Sequence, residues 1–324
     1  MPLVSILVAA RNEETTILDL LQSIEQLRFD KSKLQVLIGN DASTDRTEEV
    51  INQFIEGKKY FQLVNITQQI DGLHGKTNVL TQLTHHAKGK YFFYTDADIS
   101  LPPTWIESML SHFQENVGIV VGATVVKGES WFHACQAIEW LSALKIMKIL
   151  ADIKVPTTGM GNNMAILADA YWAVGGYENI PFSIVEDYAI YKAILDARFD
   201  FRQAFEPEIL AFTKPPQNYF EQRKRWVTGG MESKSILILP AFLQAAALPI
   251  LLIISYFNAP IAINIFLIIT ILNVLLGIPT LQKMRLSNLI KYLPIYTIYM
   301  LVFWFLQFVN YFLPTKIVWK GREY

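Results

Sequence analysis

The N-terminal part of the chain alternates short apolar runs with stretches whose apolar positions recur every three or four residues. Val4 to Ala10 is a compact apolar run, as in a buried strand. After Arg11-Asn12-Glu13-Glu14 the period changes, and Ile17, Leu18, Leu20, Leu21 and Ile24 mark one face of a helix from about Thr15 to Leu27. Leu34 to Gly39 predicts a second strand, ending in Asn40-Asp41-Ala42-Ser43-Thr44-Asp45. Ser43 or Thr44 would cap a helix that begins near Asp45 and turns Val50, Ile51 and Phe54 inward. Phe61 to Ile66 predicts a third strand, and Gly72-Leu73-His74-Gly75-Lys76 a loop that opens a helix through His86. The aromatic run from Tyr91 ends in Asp96-Ala97-Asp98, and is followed by a helix around Pro103 to Phe113 and a strand from Val117 to Gly122. Such alternation predicts an α/β fold with a mostly parallel, Rossmann-like sheet. Right-handed crossovers would collect Ala10-Arg11, Asn40-Asp41 and Asp96 to Asp98 along the edge where ligands bind in such sheets.

Farther on, the pattern changes character. Ser235 to Gln282 is a run of 48 residues without Asp, Glu, Lys, Arg or His. A membrane-crossing helix needs about 20 apolar residues, so this run holds two, with Asn258-Ala259-Pro260 as the turn between them. A further uncharged run from Tyr292 to Thr315 holds a third. The expected organisation is a soluble domain at 1–234, a membrane domain at 235–315 with segments near 235–257, 259–281 and 292–313, and a short basic tail at 316–324. Composition agrees: 52% of residues are hydrophobic and 18% charged, and the mean hydropathy is +0.27. Trp131 to Leu150 is apolar but interrupted by Glu139, Lys145 and Lys148, and is read as a buried or interface-lying helix.

No signal peptide precedes Val4, so the soluble domain is expected in the cytoplasm of a multi-pass integral membrane protein, with a bacterial inner membrane as the expected place. A single cysteine, Cys135, excludes an intrachain disulfide. Arg223, Lys224, Arg225 and Lys234 before the first segment, and Lys283, Arg285 and Lys291 before the third, belong inside by the positive-inside rule. Three full spans would then place Lys316, Lys320 and Arg322 outside. Either the tail breaks the rule or one segment, marked by Pro240, Pro249 or Pro294, is re-entrant or interfacial. A net charge of −1 gives no pull toward nucleic acid.

Each chemical motif has an ordinary reading as well. Asp is a common turn residue, so Asp96-Ala97-Asp98 alone could simply end a strand. Glu186-Asp187 opens a predicted helix, where acids suit the dipole. Gln222-Arg223-Lys224-Arg225-Trp226 could be a membrane-surface anchor. The five histidines show no ligand spacing.

Together, however, Val4 to Glu14, Asp41-Ala-Ser-Thr-Asp45, Gly75-Lys76-Thr-Asn, Asp96-Ala-Asp98, Glu186-Asp187 and Gln222-x-x-Arg225-Trp226 resemble inverting glycosyltransferases of family 2, in their order. The resemblance covers Pro2 to about Trp226. It implies a GT-A catalytic domain of the membrane-bound branch, similar to ceramide glucosyltransferases and polysaccharide synthases. It further implies donor contacts by Ala10, Glu13, Asp41, Lys76, Asp96, Gln222, Arg225 and Trp226, and a divalent cation, Mg or Mn, on Asp98 with Asp96. Asp187 is the implied general base, with Glu186 beside it.

The expected function is transfer of a sugar from a UDP-sugar to a lipid or lipid-linked acceptor at the cytoplasmic leaflet. A processive polysaccharide synthase, alone or with partner subunits, is the alternative, although two or three spans are few for a polymer tunnel. A catalytically inactive membrane scaffold would have no need of this acid set, and a nucleotidyltransferase would carry a glycine-rich loop where Arg11-Asn12-Glu13 stands.

Overall fold

The computed structural model describes residues 2–181, 183, 185–232, 236–313, 318–319 and 322–323. The boundary expected at Lys234 and the basic tail positions Lys316 and Lys320 lie outside them. The chain forms two compact units, one of residues 1–124 with 147–213 and the other of 125–146 with 214–324.

In the first unit the alternating pattern becomes β1 (Val4–Ala10), α1 (Ile17–Glu25), β2 (Leu34–Asn40), α2 (Thr47–Ile55), β3 (Phe61–Asn65), α3 (Lys76–His86) and β4 (Tyr91–Asp96). Next come β5 (Ile99–Ser100), α4 (Trp105–Ser111), β6 (Val117–Val121), β7 (Thr124–Val126) and α5 (Trp131–Asp152), the last running between the two units. After α5 the first unit continues through β8 (Asn163–Leu167), α6 (Ala168–Ala173), α7 (Glu186–Asp196), β9 (Asp200–Gln203) and β10 (Ala211–Thr213).

The main sheet has the order β3-β2-β1-β4-β8-β6-β9. β1 pairs in parallel with both β2 and β4, with Ala10 opposite Asn40 and Ala9 opposite Asp96. The strand ends therefore meet at one edge, as the crossover rule requires. The sheet departs from a wholly parallel one at β8, which runs antiparallel between β4 and β6. Its sequence, Asn163 to Leu167, has no helix-strand alternation around it to reveal its direction, since the chain returns from the long α5. Reversal brings the loop before β8 to the same edge as the end of β4, because Thr95 pairs with Asn163.

Helix starts also differ in detail. α2 begins at Thr47 with Arg46 at the N-cap, and Asp45, one residue earlier, accepts at Oδ1 from Thr47 N at 3.0 Å. Ser43 and Thr44 are drawn instead to Asn12, through Asn12 N to Ser43 Oγ (3.1 Å) and Thr44 N to Asn12 Oδ1 (2.8 Å). Apolar side chains fill both faces of the sheet, with Ile6, Val8, Ile17, Leu20 and Trp105 on one side and Leu7, Val79, Leu83 and Ile166 on the other.

The second unit holds the first part of α5 together with α8 (Tyr219–Glu232), α9 (Ile238–Phe257), α10 (Ala259–Lys283) and α11 (Leu293–Phe312). Three of its helical stretches, 238–257, 259–283 and 287–312, are long and apolar enough to cross a membrane. The turn falls where the sequence places it, with Asn258 Oδ1 accepting from Ile261 N at 3.2 Å. α5 is not among these stretches; Cys135, Ile138, Glu139 and Leu141 are buried, and Ile146 and Ile149 near its end are exposed. The charge at Glu139 is met inside the same unit: Oε2 accepts from Arg223 Nη2 and from Tyr299 Oη, the latter at 2.9 Å. Farther along, Asn273 Nδ2 donates to Thr297 Oγ1 at 3.0 Å, and Lys145 Nζ to Thr280 Oγ1 at 2.8 Å.

One fully buried polar residue ties the first unit together. Asn163 Oδ1 accepts from Trp105 Nε1 at 2.8 Å, while its Nδ2 donates to Ala123 O (2.8 Å) and Ile209 O (3.1 Å). Replacing Asn163 with Leu would orphan the buried Trp105 N–H and the Ile209 carbonyl, while Ala123 O keeps its bond from Ala211 N at 2.9 Å. At 1–3 kcal/mol for each unsatisfied group, Asn163→Leu is expected to cost roughly 3 kcal/mol or more. Thermal unfolding should show the loss.

Candidate functional site

The edge formed by the ends of β1, β2 and β4 is built from short braces. Glu13 N donates to Thr47 Oγ1 at 2.7 Å, Glu14 N to Asp45 Oδ2 at 3.1 Å, and Arg46 N to Glu14 Oε2 at 3.0 Å. Asn12 and Ala42 take the left-handed backbone, with φ of 54° and 49°, that lets the two loops turn into each other. Arg11 was legible only as the start of a turn. In the fold its Nη1 donates to Asp41 O at 2.9 Å and lies 3.6 Å from Asp41 Oδ2. Asp41 and Glu13 thus stand on neighbouring loops, with Ala10 buried at the end of β1 between them. Glu13 Oε2 accepts from Thr16 Oγ1 at 2.6 Å.

Four ionic residues converge beyond the end of β4. Lys76 is the first residue of α3, and its Nζ lies 2.6 Å from Asp96 Oδ1 and 3.2 Å from Glu186 Oε1. Glu186 and Asp187 open α7. The Asp187 carboxylate is held by two main-chain amides: Gly161 N donates to Oδ2 at 2.7 Å and Tyr188 N to Oδ1 at 2.8 Å. Asp96, Lys76, Glu186 and Asp187 are thus brought together from β4, α3 and α7.

Electrostatics follow from that crowding. Burial and then the charge of Glu186 push the Asp187 carboxyl up to about 6, against the opposing pull of the Gly161 amide, Lys76 and the Tyr188 amide. Burial works against the Lys76 ammonium, yet Asp96 and then Glu186 raise it overall and keep it charged. The Tyr177 hydroxyl faces the same acids, and burial first, then Tyr94 and Glu186, hold its proton on.

Asp98, just past the end of β4, accepts at Oδ2 from Thr213 Oγ1 at 3.0 Å. Among the described residues no group of three or more His, Cys, Asp or Glu is placed to hold a metal ion unaided. Two hard oxygen donors one residue apart fit a cation of the Mg type, which takes one or two carboxylates and draws its remaining ligands from phosphate and water.

Gln222, Arg225 and Trp226 lie in the second unit, on α8. There Trp226 packs against Trp140 with ring centroids 4.9 Å apart, and the guanidinium of Arg223 lies 4.9 Å from the Trp226 ring. Arg223 itself was read only as part of a basic run; its buried ion pair with Glu139 had no signal at that separation.

Known proteins resemble the chain in sequence and in fold. The profile of "Glycosyl transferase family 2" matches residues 5–175, and that of "Glycosyl transferase family group 2" matches residues 91–312. The chain is 27% identical over 236 residues to the poly-beta-1,6-N-acetyl-D-glucosamine synthase of Staphylococcus epidermidis, covering 71% of this chain and 55% of that protein. It is 24% identical over 241 residues to "Probable glycosyltransferase YdaM" of Bacillus subtilis (strain 168), with the same coverages. The chain therefore spans about half the length of the curated relatives it matches. Among solved structures it is similar to the mannosyltransferase PcManGT from Pyrobaculum calidifontis in complex with GDP-Man and Mn2+, with a TM-score of 0.56, 19% identity, and coverage of 92% of this chain and 87% of that one. That likeness, with the sheet order above, shows the GT-A fold.

The ion cluster makes a stability prediction independent of activity. Lys76→Met leaves Asp96, Glu186 and Asp187 facing one another without the ammonium. The raised Asp187 carboxyl is ionised well above pH 6 and protonated well below it, so repulsion is greatest at alkaline pH. The variant is expected to lose about 2 kcal/mol at pH 8, allowing for the partly exposed Asp96, and clearly less at pH 5. Paired thermal melts at the two pH values test this.

Proposed function

The chain belongs to glycosyl transferase family 2, and on that premise we propose that it moves a sugar from a UDP-sugar, with inversion, to a lipid or lipid-linked acceptor at the cytoplasmic leaflet. The observation that carries the reading is the Asp187 carboxylate, held by two amides beside the Lys76–Asp96 pair and raised to about 6. A base of that strength is mostly ionised at neutral pH and still able to accept a proton in the transition state.

The chemistry needs one base and one stabilised leaving group. Asp187 takes the proton of the acceptor hydroxyl as its oxygen bonds to the anomeric carbon. The bond from that carbon to the donor's β-phosphate oxygen breaks on the opposite face, and UDP leaves with the electron pair. Glu186 holds Lys76 in place, and Lys76 lends positive charge on the diphosphate side. A divalent cation, Mg or Mn, held by Asp98 with Asp96 would supply Lewis-acid charge for the departing diphosphate. Asp41, oriented by Arg11, and Glu13 beside Ala10 would face the uracil and ribose. Gln222, Arg225 and Trp226 complete the donor and acceptor contacts in this reading.

Among the described residues three helices are long and apolar enough to cross a membrane, which supports a membrane-integral protein; in this reading the catalytic residues face the cytoplasm, as the basic residues ahead of the first and third segments suggest. The relatives named poly-beta-1,6-N-acetyl-D-glucosamine synthase favour a second reading, in which the acceptor is the growing polysaccharide itself. Incubation of nanodisc-held protein with membrane lipid and a panel of radiolabelled UDP-hexoses and UDP-N-acetylhexosamines separates the two. A single sugar on extractable lipid supports the first; long polymer supports the second.

Two outcomes test the mechanism. Asp187→Asn is expected to lower transfer by a factor of about 100 to 10,000 while UDP affinity stays nearly unchanged; concurrent loss of UDP binding would show that the base is misassigned. Chelation of divalent cations is expected to stop transfer, with Mg or Mn restoring it in the wild type and restoring it poorly in Asp98→Asn.

A further inference from the structure

The segment ahead of β8 is wrapped around the start of α7 at three points. The Gly161 amide reaches Asp187 Oδ2 at 2.7 Å. One turn farther along α7, the backbone of Thr157 hydrogen-bonds the hydroxyl of Tyr191, which is 2% exposed. Between them Gly159 lies so close that a Cβ there would stand 2.3 Å from the Asp187 carbonyl oxygen. At Gly161 a Cβ would meet both Lys76 Nζ and Asp187 Cβ at 3.2 Å. Neither glycine has a positive φ, so backbone conformation does not demand them; clearance does.

We infer that residues 157–161 form a strap that positions the Asp187 carboxylate, with the Gly161 main-chain N–H aiming Oδ2 and the bare Cα atoms at 159 and 161 admitting α7 and the Lys76 ammonium. This rests on the reading of Asp187 as general base and adds a residue class that the reading did not contain.

The physical case is directional. A carboxylate on a side chain with two rotatable bonds presents its oxygens broadly unless something fixes them. The Tyr188 amide is adjacent in sequence and fixes Oδ1 against its own backbone. The Gly161 amide comes from a different element, and so fixes the carboxylate relative to the sheet edge that carries Asp96. The strap is itself anchored to that edge: Asn163 N donates to Met160 O at 2.9 Å, and Asn163 begins β8 opposite Thr95, next to Asp96. A rigid path thus joins the end of β4 to the Asp187 oxygens. The hydrogen bond also favours the ionised carboxylate, offsetting part of what burial and Glu186 do.

The charged and titratable groups facing Asp187 are Glu186 on its own helix, Lys76 from α3, and Tyr177 from the turn at Gly176–Asn179. The strap contributes none, so a variant in it changes geometry without adding or removing a charge. Gly159→Ala forces the strap away from the Asp187 backbone, and Gly161→Ala displaces the carboxylate or the ammonium by a few tenths of an ångström.

The test compares both variants and Asp187→Asn with the wild type as full-length protein in nanodiscs. UDP release is followed from UDP-glucose, UDP-galactose and UDP-N-acetylglucosamine in turn, with membrane lipid extract present. Of the two variants, Gly159→Ala, whose added carbon does not reach Lys76, is expected to bind UDP as the wild type does. The kcat of both should fall by up to about 100-fold, the scale of a misplaced catalytic group. The acid limb of their kcat–pH profile should move to higher pH, because a weakened amide contact no longer favours the carboxylate. An unmoved acid limb, wild-type kinetics in both variants, or activity lost only in step with the melting temperature would overturn the strap. If Asp187→Asn turns over normally, the general-base reading falls instead, whatever the glycine variants do.

Discussion

Three carboxylates at one sheet edge repel each other unless a cation stands among them, and the catalytic half of this protein is arranged around meeting that condition. Asp96 reaches the edge on β4, and Glu186 and Asp187 reach it on the first turn of α7. Lys76 comes in on the first turn of α3 after a loop that turns at Gly75 with φ of 55°. Its ammonium neutralises Asp96 and Glu186 directly and Asp187 at longer range. Burial first, and then the charge of Glu186, lift Asp187 out of the ordinary carboxylate range against the pull of the Gly161 amide and Lys76. Structure and electrostatics share a cause here: a carboxyl that titrates near neutrality follows from packing an acid pair out of water beside a single ammonium.

Much of that arrangement was readable in the sequence because it depends on strand ends. Apolar runs terminated by Asp41 and by Asp96-Ala97-Asp98 give their own positions once the crossovers are right-handed, and the register of β1 with β2 and β4 follows. What escaped depends on partners distant in sequence. Arg11 meets Asp41 across 30 residues, and Asn163 meets Trp105 across 58. The reversed direction of β8 had no local signature, because a strand of five residues pairs either way. Gly161 acts through an amide that every residue but proline possesses, so its identity shows only in the space beside it.

The second unit meets charge by the same logic in a drier setting. Glu139 interrupts an otherwise apolar helix and is answered by Arg223 and Tyr299 from two other helices. Tyr219 adds a hydroxyl contact to Tyr299 at 3.1 Å. Along with Asn273–Thr297 and Lys145–Thr280, these contacts give helices rich in Leu and Ile a few directional constraints that apolar packing alone lacks. The run of basic residues ahead of α9 is accordingly not one surface: Arg223 and Lys224 are buried, whereas Arg225 is partly exposed.

The antiparallel β8 has a consequence for the order in which the molecule is made. During synthesis β1 to β4 emerge in sequence and pair with near neighbours, so the Lys76–Asp96 contact closes between residues 20 apart in the chain. β8 can join β4 only after α5 has been completed, and α7 follows later still. The half of the edge that carries Asp41 and Asp96 is therefore synthesised first, together with Lys76. The strap and the acid pair emerge later, after α5, with β9 and β10 of the same unit still to follow.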